Sequence, residues 1–306
     1  MDEKIIPASF EAKVNDKKTY IVYKDDIDNF YKKGKKENND FQNKIRELCL
    51  FSIFNNLVPD VWFEEQKWKD LKDSLSSIVY DFGIEPNNLK FMAGRAFNYD
   101  FAVKKNDDEI KLEFKFNCSS IKKYPQFLSL ASYHFVIDDL YADYFYDNYM
   151  DKIQELYNPP FISKNDYLKF VYQSDETKHP FFTFLYSKDK STNKDDLVKK
   201  KEKKKFVDKS IKDYLQIVKL NLSKMNNKFQ ESQAGKKFIL YKSGIFYKDE
   251  FENDELCISG INEITKNTII LDTNKPTTKI KMLLRWKNHI GILFPAWQIS
   301  LCRLEQ

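Results

Sequence analysis

Residues 98–116, NYDFAVKKNDDEIKLEFKF, carry three charges inside otherwise apolar runs: Asp100, and then Glu113 and Lys115 two positions apart. Carboxylates of this kind can hold a hard cation, and a lysine beside them can position or help deprotonate water. Whether they meet depends on the element that carries them. Tyr99, Phe101 and Val103 alternate with Asp100, Ala102 and Lys104, and after the polar turn KNDDE, Ile110, Leu112, Phe114 and Phe116 alternate with Lys111, Glu113, Lys115 and Asn117. Two period-two runs separated by a polar turn predict a β-hairpin with one buried face. Glu113 and Lys115 then point the same way, about 6–7 Å apart along the strand. With the turn near Asp107 and Asp108, Asp100 falls opposite Glu113 to Lys115, and directly opposed residues approach to about 5 Å. Tyr99, Phe101, Leu112 and Phe114 are expected on the other face.

Two carboxylates that close resist joint ionisation unless positive charge lies between them. Mg²⁺ suits the position, because it takes one or two carboxylates plus waters and phosphate oxygens. Such an ion makes bound water more acidic and offsets charge developing on a phosphodiester, and Lys115 adds an ammonium at the same place. Together these parts make a metal-dependent phosphodiester hydrolase. The plainer alternative is a salt bridge of Lys115 with Asp100 or Glu113 on a solvated strand. The apolar flanks, and helix candidates on both sides, weigh against it.

Those helices frame the hairpin. DFQNKIRELCLFSIFNNLV places Phe41, Ile45, Leu48 and Ser52 on one stripe, with Asp40 as N-cap; WKDLKDSLSSIVYDFGI is a second amphipathic helix ending at Gly83. Helical patterning resumes in the aromatic-rich PQFLSLASYHFVIDDLYADYFYDNYMDKIQELY. The lysine-rich run 187–205 reads as an exposed loop or the solvated start of a helix. From Lys236 onward β-type runs dominate. The expected organisation is an extension over 1–39, a catalytic core over 40–160, a mainly helical segment with a Lys-rich loop over 161–235, and a β-rich part over 236–306.

Composition narrows the class. The 306 residues are 42% hydrophobic and 32% charged with only 7 Gly and 9 Pro, which excludes collagen-like and wholly disordered chains. The net charge of +5 permits a polyanionic partner without requiring one. Four cysteines without a C-x-x-C pair argue against structural zinc, and three isolated histidines against a His-based centre. The first residues lack the apolar stretch of a secretion signal and no apolar run reaches membrane-spanning length, so a soluble cytoplasmic protein without membrane contact is expected. No P-loop is present.

The segments YDF and LEFKFN resemble the PD-(D/E)xK nuclease superfamily. The resemblance implies an α/β restriction-endonuclease-like core, with a mixed central sheet flanked by helices. It implies that Asp100 and Glu113 bind the metal, that the Phe114 carbonyl completes its coordination, and that Lys115 acts on the water. Glu47 on the first helix matches the acid that some members supply there, or is an ordinary exposed helix residue. The proline that often precedes the Asp is Tyr99 here. Gln126 is followed four places on by Leu130, with Tyr133 out of register, unlike the exonuclease branch. The implied activity is Mg²⁺-dependent cleavage of double-stranded DNA, as by a type II restriction enzyme, with a homodimer matching a two-fold site. A structure-specific or RNA-directed nuclease, or a non-catalytic nucleic-acid-binding protein, are the alternatives. Lys122, Lys123 and Gln126, just past the E-x-K strand, are the expected substrate contacts. Arg285, Lys287 and His289, set around Trp286 and Trp297, either grip backbone phosphates or flank a tryptophan-anchored β core.

Overall fold

The computed structural model describes residues 6–15, 18–33, 39–85, 87–92, 99–105, 108–120, 135–173, 179–233, 235–250, 256–289 and 292–303. The chain is a mixed α/β protein that divides into two compact units. The first joins residues 1–123 to 233–252, and the second joins 124–232 to 253–306. These units cut across the segments expected from composition. The N-terminal strands and residues 236–250 belong with the hairpin, because their apolar faces complete its core.

Among the described residues, the first unit contains β1 (Ser9–Asn15), β2 (Lys18–Tyr23), α1 (Asp26–Tyr31), α2 (Asn39–Phe54), α3 (Gln66–Phe82), β3 (Leu89–Phe91), β4 (Phe101–Lys105), β5 (Asp108–Phe116), β6 (Lys236–Lys242) and β7 (Ile245–Glu250). Strands β3 to β7 form one sheet in sequential order. Only the β5–β6 pair is parallel; the others are antiparallel. A parallel neighbour needs a long crossover, and here the second unit's helices lie in the intervening chain.

One face of this sheet presents Phe101, Val103, Leu112, Phe114, Ile239 and Tyr241 to a core shared with Leu48, Phe51, Trp62, Trp68, Leu71 and Leu75. Burying a large apolar side chain contributes about 1.5–3 kcal/mol, so this layer dominates the unit's stability. Helix α2 turns Ile45, Leu48 and Ser52 inward, but Phe41 is 69% exposed, and the predicted stripe starts one turn later than the hydrophobic pattern suggested. The helix already includes Asn39, which leaves Asp40 inside it and not at its cap. Helix α3 ends where expected: Gly83 adopts φ 62°, a left-handed conformation that returns its N–H to the Tyr80 carbonyl.

Arg46, fully buried, locks α1 onto α2. Its Nε donates to the Phe30 carbonyl at 3.0 Å, Nη2 to the Lys32 carbonyl and Nη1 to Asn43 Oδ1 at 2.8 Å. The guanidinium also lies 3.5 Å from the Phe116 ring centroid. One side chain thus fixes α2 against β5 and sets the height at which its neighbour Glu47 stands.

The second unit contains α4 (Tyr141–Tyr157), α5 (Lys164–Gln173), α6 (Pro180–Lys190), α7 (Lys194–Ile217) and α8 (Leu222–Gln233), followed by β8 (Ile258–Ile264), β9 (Thr268–Thr273), β10 (Thr278–His289) and β11 (Ile292–Arg303). Its sheet is antiparallel in the order β11-β10-β9-β8. Of the two readings of the lysine-rich run, the helical one holds for all but residues 191–193: α6 reaches Lys190, and α7 starts after Asn193, whose Oδ1 accepts the Asp195 N–H at 2.8 Å. Lys203 is buried against Asp189 at 3.1 Å, which draws part of the run inward. Cys49 and Cys118 are buried free thiols. Among the described residues no helix is long and apolar enough to cross a membrane.

Candidate active site

The β4–β5 register pairs Phe101 with Leu112 and Lys105 with Asp108, so Asp108 belongs to the strand and not to the turn where it was expected. Continued one step, that register sets Asp100 opposite Glu113. The Asp100 backbone is held on both sides: its N–H donates to the Leu112 carbonyl at 2.9 Å, and its carbonyl accepts from Met92 N–H at 2.8 Å. Its side chain turns inward, where Oδ2 accepts the Phe114 N–H at 2.8 Å. The two residues flanking Glu113 on β5 thus each contact Asp100.

Glu113 lies on the sheet face opposite the aromatic core and is only 6% exposed. Two ammonium groups meet it, Lys115 at Oε1 and Lys236 at Oε2. Lys115 comes from two positions along the same strand. Lys236 comes from the first position of β6, where the parallel register sets it beside Lys111 and gives it the same facing as Glu113. It is 1% exposed. Phe238 and Leu240, fully buried, occupy the next two positions of β6 on that face, beside Glu113 and Lys115. The carboxylate therefore sits in a partly dry slot with a lysine on either oxygen.

Electrostatics tie Glu47 to this cluster. Burial pushes its carboxyl up to about 8, and the Asp100 charge pushes it further in the same direction; Lys44, paired with it at 3.5 Å, and Lys115 act against the rise. Asp100 rises to about 6, chiefly through burial, with Lys115 opposing the rise and Glu113 adding to it. Burial lowers Lys236, against the pull of Glu113. Of the two carboxyls, Glu47 is the one more strongly held toward its protonated form.

The structure gathers Asp100, Glu113, Lys115 and Glu47 into one neighbourhood. The Phe114 ring packs into the core, 6.1 Å from Phe30, so only its backbone faces the cluster. Tyr99 departs from expectation: it sits in a bend, its hydroxyl donates to Glu109 at 3.4 Å, and its ring lies near Lys111. It therefore joins the polar face and not the core. Lys122, Lys123 and Gln126 lie outside the described residues. Lys236 escaped the reading of the sequence, since a lysine opening a strand more than a hundred residues downstream looks like an ordinary polar flank.

Asp100 Oδ1 and the Glu113 carboxylate are hard oxygen donors of the kind a divalent ion takes, and both Glu113 oxygens are paired with ammonium groups in this structure. Among the described residues no group of three or more His, Cys, Asp or Glu is arranged to hold a metal ion. Two carboxylates are what Mg²⁺ uses when waters and phosphate oxygens fill its other positions, whereas a structural zinc would require a closed set of four.

The tryptophans flanking Arg285 and Lys287 belong to a core. Trp286 Nε1 donates to the Tyr141 hydroxyl at 3.2 Å and its ring lies 4.9 Å from Phe145, while Trp297 lies 6.0 Å from Phe135. The opposite face of β10 carries Lys279, Lys281, Leu283, Arg285 and Lys287 on alternate positions. Lys279 is paired with Asp272, Lys281 and Arg285 are exposed, and Lys287 lies 5.5 Å from the Phe294 ring centroid. The side chain of His289 lies outside the described residues.

The fold and this cluster define a mixed α/β protein with a buried acid–lysine site on the polar face of a mixed sheet. Comparison with known protein families, curated proteins and solved structures finds no match.

Proposed function

We propose that the chain is a Mg²⁺-dependent endonuclease on a restriction-endonuclease-like core, hydrolysing phosphodiester bonds in double-stranded DNA. The observation that carries this reading is the opposition of Asp100 to Glu113 across β4 and β5, with Lys115 on Glu113 and Glu47 electrostatically linked from α2. A salt bridge on a solvated strand would leave these groups exposed and their acidities ordinary. Here Glu113 is buried between two lysines, and Asp100 and Glu47 are half-buried beside it, an arrangement a solvated surface pair does not have.

In this reading Asp100 and Glu113 hold the ion, with the Phe114 backbone beside them. When bound, Mg²⁺ supplies an acidified water and a counter-charge for the phosphate. The chain's own groups do the rest. The Phe114 N–H fixes Asp100 Oδ2 and so aims Oδ1. Lys115 Nζ stands at the mouth of the slot, where its ammonium can orient the attacking water and offset charge developing on the phosphate. Glu47, pushed toward its protonated form by burial and by Asp100, would then spare Asp100 a second adjacent negative charge. Phe238 and Leu240 keep bulk water from the buried side. The exposed cations on β10, with Phe294 among them, suit a nucleic-acid backbone better than a small substrate. Cutting both strands then calls for two copies of the chain arranged about a two-fold axis.

The test is cleavage of long unmodified duplex DNA by wild type, Glu113→Ala and Lys115→Ala, each with Mg²⁺ and with chelator. Discrete fragments from wild type with Mg²⁺, lost with chelator and reduced at least about 100-fold in either variant, are expected. Equal cutting by wild type and both variants would refute the assignment. Cutting of RNA or branched DNA in place of duplex would move the substrate and keep the chemistry.

A further inference from the structure

We infer that Lys236 is a positioning residue of this site: its buried ammonium holds Glu113 by Oε2, so that Oε1 is the oxygen offered to the metal and Lys115 is the ammonium that gives way. The inference rests on the nuclease reading and adds a residue that neither the motif nor the local sequence contains.

The two lysines on Glu113 are not equivalent. Lys115 is about one-fifth exposed at its side chain, while the side chain of Lys236 has no exposed surface. A lysine stem of four carbons gives an exposed ammonium freedom to move, but a fully buried one has no water to replace its partner. Withdrawing Lys236 from Glu113 would take its ammonium off the carboxylate with no water in the slot to replace it. Lys115 can move its Nζ into solvent at little cost. A cation arriving from the open side therefore displaces Lys115 from Oε1 and leaves the Lys236 contact at Oε2 intact.

The backbone supports the same division. Lys236 opens β6 immediately after Gly235, whose carbonyl accepts the Lys111 N–H at 3.4 Å, and the β5–β6 ladder continues through Lys237, Phe238 and Ile239. Its anchor is thus a strand inside the sheet. Carboxylates that ligate metals are themselves held by outer partners, and loss of such a partner typically costs about 10–100-fold in metal affinity or activity. With Lys236 gone, Lys115 would become the counter-ion on which Glu113 depends and would compete with the metal for it.

The experiment measures Mn²⁺ affinity of the full chain by titration calorimetry, without nucleic acid, alongside single-turnover cleavage. Wild type, Lys236→Met, Lys236→Gln, Lys115→Met and Glu113→Gln are compared, with folding checked by circular dichroism. Lys236→Met is expected to bind Mn²⁺ about 10–100-fold more weakly. Lys236→Gln, which keeps a donor but no charge, falls between it and wild type and serves if the methionine variant does not fold. Lys115→Met is expected to bind at least as tightly as wild type while losing cleavage, so binding and turnover separate. Unchanged or tighter Mn²⁺ binding in the Lys236 variants overturns the inference, because Lys236 would then be only a like charge near the ion. If Glu113→Gln abolishes binding and the Lys236 variants do not weaken it, the nuclease reading stands without this inference. If wild type binds no Mn²⁺, both fall together.

Discussion

At the residue scale the chemistry turns on charges kept where water is scarce. Asp100 and Glu47 have acidities raised to about 6 and about 8, each first by burial. A carboxyl whose folded-state pKa lies above its unfolded value, near 4, stabilises the fold below that unfolded value. That contribution is lost as pH rises through the folded value. The chelated protein should therefore lose stability between about pH 4 and 8, first through Asp100 and then through Glu47. Glu47→Gln should raise the melting temperature at pH 8.5 relative to wild type and leave it nearly unchanged at pH 5. Calorimetric scans at the two pH values check this; an equal shift at both would mean that Glu47 does not titrate in the window. Mg²⁺, if it binds at this cluster, should restore part of the loss at high pH.

At the scale of elements, α2 must stand at one height against β5 for Glu47 to feel Asp100. Arg46 sets that height through two carbonyls at the end of α1 and the face of Phe116. Arg46→Met keeps the apolar stem and removes the donors, leaving buried carbonyls unsatisfied. A loss of about 2–4 kcal/mol in urea unfolding is expected. A second expectation concerns the aromatic layer beneath the site. Phe114→Ala opens a cavity under the strand that carries Glu113 and should cost about 3–5 kcal/mol. Alanine keeps the N–H that aims Asp100, but a strand relaxing into the cavity would move it, so cleavage should fall even where the variant remains folded, with the main effect on turnover. A cleavage rate equal to wild type in the folded fraction would show that the strand holds its course without the ring.

At the scale of the whole molecule, the two units carry different loads. The first holds the acid–lysine cluster, and the second contributes an antiparallel sheet whose β10 carries exposed basic residues on one face and Trp286 in the core on the other. If that basic face meets DNA, each phosphate contact releases condensed counterions. Lys281→Ala and Arg285→Ala should then each lessen the slope of log affinity against log salt by about 0.9, without changing which sequences are cut. Fluorescence anisotropy from 50 to 200 mM salt measures it. An unchanged slope in the double variant would remove this face from the interface.

Much of the site was legible because it depends on local periodicity. A strand alternates its side chains every two residues, so the run 98–116 by itself determined that Asp100, Glu113 and Lys115 share one face and that Phe101, Leu112 and Phe114 share the other. The apolar rhythm around Leu48 and Leu71 likewise determined two helices, and Gly83 the end of the second. Tyr99 defied the pattern because it precedes the strand, in a bend where alternation does not hold. Phe41 defied it because a helical stripe is buried only as far as its partner extends. The lysine run 187–205 left a loop and the solvated start of a helix both open, since charge density obscures a helix whose buried contact, Lys203 with Asp189, joins it to the preceding helix. Only the tertiary structure decided that β6 returns, after the whole helical segment, to lie parallel to β5 and bring Lys236 onto Glu113. It also decided that α2 delivers Glu47 to Asp100. These are pairings between distant parts of the chain, selected by the burial of shared apolar faces, and no local rule of spacing records which strand will be the neighbour.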